Sequence, residues 1–474
     1  MLRKLFIPCC IYFLFHIELY AQPFPFQKSF GDSLHNEFGI SVIQLNSGSI
    51  FFCGYKYNAQ LLSEITLTKL DLNGTILWQQ LYNDSLQSYS SGKMILHNNA
   101  FYIAGQTMYQ NGNLDALVLK VDTMGNVLWQ KEYGSSSANE SFAFIEADSS
   151  YGFMCCGFAT GSAGSGNDIY IARIDTAGNL IWASNYGGLD NDVSMAIKRT
   201  LDGDFILSGD KLVPASSNYN AYVLKIDTAG NTIWDADIVS TFNSGCRNIM
   251  VNHNGDYILV GESATPTSSY FDVMISKITQ SGIVQWTKTI SATDNGDAGF
   301  SIIEPVPDHY LITGYGYNSL DSSTDVVLLH IDSAGNEVSK RYYDFAQLDF
   351  GFEISPSIYG GFLIAGTNYG IDDQYYLIYD TLSIPVGVNE ISSYQNNFHA
   401  YPNILNGNDI IYFNRMTDNF SIDVFDLSGN NIYHAYLKEF ANQYRFKSFF
   451  RNGFYILRIS TDKFNYTQKI IFSK

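Results

Sequence analysis

Carboxylates recur through this chain at a near-constant interval. One series comprises Glu64, Asp115, Asp168, Asn220, Asp272, Asp325 and Asp373, and a second comprises Glu37, Glu140, Asp192, Asp297 and Asp349, with Ser88 and Ser244 completing it. Carboxylates brought close together would hold a cation, or divide acid and base between them in glycoside cleavage. A feature repeated at almost every opportunity is better explained by architecture, each side chain accepting backbone N–H groups where neighbouring repeats meet. Aromatic residues form a third set. Tyr55, Phe158 and Tyr315 each follow a recurring glycine, and Tyr57, Tyr109, Tyr219, Tyr270, Tyr317 and Tyr369 stand nearby among Ser, Asn and Gly. Flat rings beside amides and hydroxyls suit sugars or protein surfaces. The candidate ligand residues are therefore Tyr55, Phe158 and Tyr315 together with Glu37, Glu140, Asp192, Asp297 and Asp349.

Other chemistry finds no support in the sequence. There is no GxSxG elbow, HExxH or Walker motif, and the histidines, such as His97 and His253, lack ligand spacing. Of the six cysteines, Cys9 and Cys10 lie in the first apolar run, and Cys53, Cys155, Cys156 and Cys246 form no CxxC. Cys53 and Cys156 occupy a repeat position filled elsewhere by Ala104, Ser208, Val260, Thr313 and Ala365, so they read as small core residues. No catalytic residue, metal ligand or cofactor is nominated.

The elements that must position these side chains are set by a repeat. Trp78, Trp129, Trp182, Trp234 and Trp286 are separated by 51, 53, 52 and 52 residues, and Gly54, Gly105, Gly157, Gly209, Gly261, Gly314 and Gly366 continue the period through seven repeats. Each repeat divides into four strand-like runs, A to D. Run A is short and apolar, as in residues 142–145. Run B ends at the recurring glycine, as in residues 204–209, and its unbroken apolar character predicts burial on both faces. Run C closes with a basic residue before a turn, as in residues 222–227. Run D places Trp and Tyr four apart, Trp129 with Tyr133 and Trp182 with Tyr186, hence on one face of a strand. Between C and D, segments such as Asp122-Thr123-Met124-Gly125-Asn126 read as tight turns, Asp capping the backbone and Gly supplying a positive φ. They lack the glutamate and ligand spacing of an EF-hand.

Four antiparallel strands in a unit of about 50 residues describe a β-propeller blade. The order glycine, tyrosine, tryptophan is similar to kelch repeats, with one glycine where kelch has two. The seventh repeat lacks a run D, while Phe26-Gln27-Lys28-Ser29-Phe30-Gly31 matches Trp129-Gln130-Lys131-Glu132-Tyr133-Gly134. The expected fold is thus all-β: a seven-bladed β-propeller closed by an N-terminal strand, which removes the exposed edge of an open array.

The 27 Lys and Arg against 46 Asp and Glu give a formal charge of −19, a surface that repels phosphate backbones and argues against nucleic acid as a partner. Residues 1–21 read as a signal peptide: Arg3 and Lys4 precede an apolar run from Leu5 to Phe15, and Ala21 offers a small residue for cleavage.

After a polar connector at residues 386–397, short alternating runs suggest a small β-sandwich at residues 398–474. Within it stand Tyr401-Pro402-Asn403, then Val424-Phe425-Asp426-Leu427-Ser428-Gly429, then Asn452-Gly453-Phe454-Tyr455, and finally Lys469-Ile470-Ile471. In this order and spacing, these residues resemble the C-terminal sorting domain of type IX secretion substrates in Bacteroidota. The resemblance implies recognition by the type IX machinery, passage through the outer membrane, and attachment to the cell surface or release. With residues 22–385 as the propeller, the expected protein is an exported monomer that binds glycan or protein. The alternative is a secreted polysaccharide-degrading enzyme using the acidic series.

Overall fold

The computed structural model describes residues 25–31 and 36–380, apart from loop segments such as 161–165, 214–217, 239–242, 292–295, 319–322 and 370–373, the last of which includes Asp373, and the strands between 400 and 473. Residues 1–21, read as a signal peptide, lie outside the described residues. The chain divides into two compact units, Met1–Ile384 and Pro385–Lys474. Every regular element among the described residues is a β-strand.

In the first unit the strands form five separate four-stranded antiparallel sheets and one eight-stranded sheet. Each four-stranded sheet is one sequence repeat in the order A, B, C, D, as in Asp192–Arg199, Phe205–Val213, Asn218–Ile226 and Thr232–Ile238. The eight-stranded sheet holds two such sets, joined by a single parallel pair, Thr324 with Leu348. These sheets have the form of propeller blades. Strand B is buried on both faces, residues 205–210 all being buried, because the faces of each sheet pack against sheets from the flanking repeats. Strand D is the outer edge and alternates between exposed and half-buried residues.

One device recurs between successive repeats. In the turns, Asp122 Oδ1 accepts the N–H groups of Met124 (2.8 Å) and Asn126 (2.9 Å), which forces Gly125 to φ +86°. The Trp78 ring of the preceding D strand lies against this glycine, and Tyr82 donates its hydroxyl to the Gly125 carbonyl at 2.9 Å. The same pair recurs as Trp129 and Tyr133 on Gly178, and as Trp182 and Tyr186 on Gly230, with hydroxyl distances of 2.8 and 2.6 Å. The four-residue spacing of Trp and Tyr thus exists to clasp the following turn.

The strand Phe26–Phe30 pairs antiparallel with Gln374–Asp380, Phe30 opposite Tyr375 and Phe26 opposite Tyr379. Phe26 also lies against Gly74, at φ +71° in the first C-to-D turn. It fills the place that Trp78 has on Gly125.

The second unit holds a three-stranded and a five-stranded sheet. Phe420–Phe425 pairs with both Asn431–Leu437 and Gly453–Ser460, and Gly453–Ser460 pairs with Asn465–Ser473. Ile422, Val424, Leu457 and Ile459 are fully buried there. Of the residues that carry the sorting resemblance, Tyr401 pairs with Tyr412, Gly453 with Phe472, Tyr455 with Ile470 and Lys469 with Ile456. Pro402, Asn403, Asp426 and Gly429 lie outside the described residues.

Candidate ligand-binding site

The recurring glycine sets the geometry of the site. In each repeat it pairs with a residue of strand A at the point where strand A bulges, so that one residue is left opposite no partner. The residues thrown out by these bulges are Ile40, Ala143, Met195, Arg247, Phe300 and Phe352, and in the second repeat the bulge takes two, Gly92 and Lys93. A bulge carries the bulged strand over its neighbour, and no side chain fits beneath it. A Cβ at Gly209 would sit 1.9 Å from the Val193 carbonyl oxygen, and one at Gly314 would sit 1.8 Å from that of Ala298. Replacing Gly209 by Ala is expected to cost about 1–3 kcal/mol or more, because backbone must shift to admit the methyl group. Thermal unfolding of the variant checks this, and an unaltered midpoint would show that the bulge does not require glycine.

All of the bulged residues line one cavity of about 550 Å³, to which the seven A strands each contribute. Its wall is divided by chemistry. On one side the rings of Phe300 and Phe352 stack at 5.4 Å, and from them an unbroken series of ring contacts runs outward. Phe300 meets Tyr315 at 5.6 Å, Tyr315 meets Phe350 at 4.9 Å, Phe350 meets Tyr369 at 5.3 Å, Tyr369 meets Phe38 at 5.4 Å, and Phe38 stacks on Tyr55 at 4.6 Å. All of these rings are half-buried, so each keeps a face or edge accessible.

The remaining wall carries small residues and ion pairs. Arg247 lines the cavity with its guanidinium held from behind by Glu262, Nε to Oε2 at 3.1 Å, and by Asp210 at 3.5 Å. Burial pushes the Asp210 carboxyl up to about 6, against the opposing pull of Arg247. Lys93 pairs with Glu353, whose Oε2 also accepts the Val42 N–H at 3.0 Å. Burial lowers the Lys93 ammonium to about 7, with Lys198 adding to the effect; contact with the Glu353 carboxylate works to keep it charged.

The sequence-predicted residues divide accordingly. Tyr55 and Tyr315 belong to the aromatic series, and Tyr55 lines the cavity. Phe158 is half-buried opposite Ser141 and, among the described residues, makes no ring contact. The acidic series is enclosed: Glu37 and Asp192 are 2% exposed, Asp297 and Asp349 0%, and Glu140 7%. Asp192 accepts the N–H of Gly188 at 3.0 Å and of Leu212 at 3.3 Å, and Asp349 accepts that of Phe345 at 2.7 Å. Where the series has serine, Ser88 Oγ accepts the Ser63 N–H and Ser244 Oγ the Ala221 N–H, both across a junction between repeats. Glu140 instead accepts from Ser135 Oγ at 3.3 Å. These are the contacts of a structural seal, and burial raises the pKa of both Asp192 and Glu140.

In the other series, Glu64 is fixed by Asn58 and Asn83 at 2.9 and 2.7 Å, and Asp115 by the Tyr109 hydroxyl at 3.0 Å. Asp325, Asp344 and Asp349 bring carboxylate oxygens within 4.8 Å of one another, a donor set suited to a hard cation. The four cysteines are buried free thiols, and burial pushes Cys53, Cys156 and Cys246 up to about 12, away from the reactive thiolate form. The residues that sequence reasoning missed are Phe38, Lys93, Arg247, Phe300, Phe350 and Phe352, all on A strands.

Comparison with known proteins gives one family and several distant structures. Residues 399–473 match the family described as secretion system C-terminal sorting domain. No curated protein matches the chain. A catalytically inactive virginiamycin B lyase from Staphylococcus aureus, crystallised with quinupristin, is similar at 13% identity over 75% of this chain and 100% of that chain, with a TM-score of 0.46. PorZ, a surface component of the type IX secretion system of Porphyromonas gingivalis, is 11% identical over 90% of this chain and 68% of that chain, at a TM-score of 0.33. An endo-arabinase from Bacteroides thetaiotaomicron is 10% identical over 63% of this chain and 95% of that chain, at 0.35. The C-terminal match agrees with the motifs read at Tyr401, Gly453 and Lys469, and it makes this chain a substrate of the type IX secretion machinery, secreted or attached to the cell surface.

Proposed function

We propose that residues 22–385 form a closed, seven-bladed, kelch-like β-propeller, and that this ring is a monomeric binding module for glycan or protein. In this reading, residues 1–21 are the signal peptide and the tail carries the module out of the cell. Closure is supported by the pairing of Phe26–Phe30 with the last C strand and by Phe26 on Gly74. The observation that carries the binding role is the aromatic series, which links Tyr55 and Tyr315 through Phe350, Tyr369 and Phe38 to a cavity at the A strands. Burial of the acidic series, with Asp192 and Asp349 accepting backbone N–H groups, favours binding over carboxylate chemistry.

The test is a triple variant, Tyr55→Ala with Tyr315→Ala and Tyr369→Ala, probed beside wild type on a glycan array and against surface proteins from the producing cell. Each aromatic contact is worth roughly 0.5–1.5 kcal/mol beyond its area, so a loss of more than about tenfold in affinity is expected with the fold retained. Undiminished binding would move the site elsewhere.

A further inference from the structure

We propose that the cavity takes the end of an uncharged oligosaccharide, a statement that rests on the binding role above and names the class of ligand. The cations on its wall are already matched: Arg247 by Glu262 and Asp210, and Lys93 by Glu353. A carboxylate or ammonium entering the cavity would give up its hydration and compete for groups that already have partners, which is costly in a buried site. A hydroxyl needs no such exchange. It donates and accepts at once, and the wall offers it Arg247 and Lys93 as donors, Glu353 as an acceptor, and Ser141 and Ser301 as either.

The opposite wall supplies what a sugar ring requires on its flatter side. Phe300 and Phe352 lie within 17° of parallel, giving an apolar surface against which the C–H face of a pyranose can rest. Ala143 contributes only a methyl group to the lining, and 550 Å³ falls within the roughly 300–1,000 Å³ of small-molecule sites. The cavity therefore accommodates a chain terminus, and the Tyr315, Phe350, Tyr369 and Tyr55 rings offer further stacking surface to the units that follow.

The experiment uses the full chain on an array of defined uncharged oligosaccharides with matched uronic-acid oligosaccharides, followed by calorimetric titration of the best-retained probe. Uncharged probes are expected to bind, and their uronate counterparts at least tenfold more weakly. Phe352→Ala removes the stacking surface and Ala143→Leu fills the cavity from the other side; each is expected to weaken binding at least tenfold. Ala143 is half-buried and faces the cavity, so its replacement leaves the thermal midpoint within a few degrees and keeps the test valid if Phe352→Ala unfolds. Preference for uronates, absence of glycan binding, or full affinity in Ala143→Leu would each overturn the inference. Full affinity in Ala143→Leu, together with loss in the Tyr55, Tyr315 and Tyr369 variant, would leave the binding role standing and remove only the cavity.

Discussion

Deleting residues 22–31 is expected to lower the thermal midpoint of the first unit more than any single substitution does. The deletion removes the strand Phe26–Phe30 from its partner Gln374–Asp380, whose Tyr375, Leu377 and Tyr379 are buried beneath it. Two aromatic anchors go with it. Phe30 packs with Tyr375 in the core, and Phe26 sits between Tyr379 and the Gly74 turn. Truncating a buried aromatic residue costs roughly 3–5 kcal/mol, and domains have only about 5–15 kcal/mol in total. The deletion also bares the edge of a buried strand, inviting association between copies. Calorimetry of the deleted and intact chains gives the answer, with Phe30→Ala as an intermediate. An unchanged midpoint would mean that the strand does not close the ring.

Truncation after Val388 is expected to abolish delivery to the cell surface while the first unit stays folded. The tail is a compact unit with its own buried residues, Ile422, Val424, Leu457 and Ile459, and residues 399–473 carry the sorting-domain match. Its removal takes away the recognition surface and leaves the blade sheets with their clasps of Trp, Tyr and turn glycine. Cell fractionation, surface protease digestion and melting of the retained protein check both halves of the expectation. Truncated protein at the surface would show that export does not depend on the tail.

The framework was legible because repeats leave regular marks. The Trp and Gly series gave the period, the DxxGN turns gave the C-to-D hairpins, and the match between residues 26–31 and 129–134 pointed to the N-terminal strand. The reason for the glycines was not legible. Seen in sequence, Gly209 merely ends a strand; in the structure it lies under the bulge at Met195. Bulges break the period of two that pattern reading relies on, so the inward-facing residues of strand A were hidden. A signal did exist: Ile40, Gly92, Ala143, Met195, Arg247, Phe300 and Phe352 keep the repeat spacing while varying freely in type. The acidic series is uniform in type and buried, with Asp192 and Asp349 bonded to nearby backbone and Ser88 and Ser244 to the neighbouring repeat. Phe158 shows the limit of register alone. It is equivalent to Tyr55 and Tyr315, but Ser141 stands opposite it where Phe38 stands opposite Tyr55, and Val193 holds the place in the next repeat from which Phe350 meets Tyr315.

The binding role is tested most directly by incubating the full chain with whichever oligosaccharide or surface protein it retains, following heat by calorimetry and the partner by chromatography. Saturable binding at one site per chain, with the partner recovered intact, is the expected result. Shortened products that disappear in a variant carrying Glu37→Gln, Asp192→Asn and Asp297→Asn would contradict it and make the acidic series catalytic.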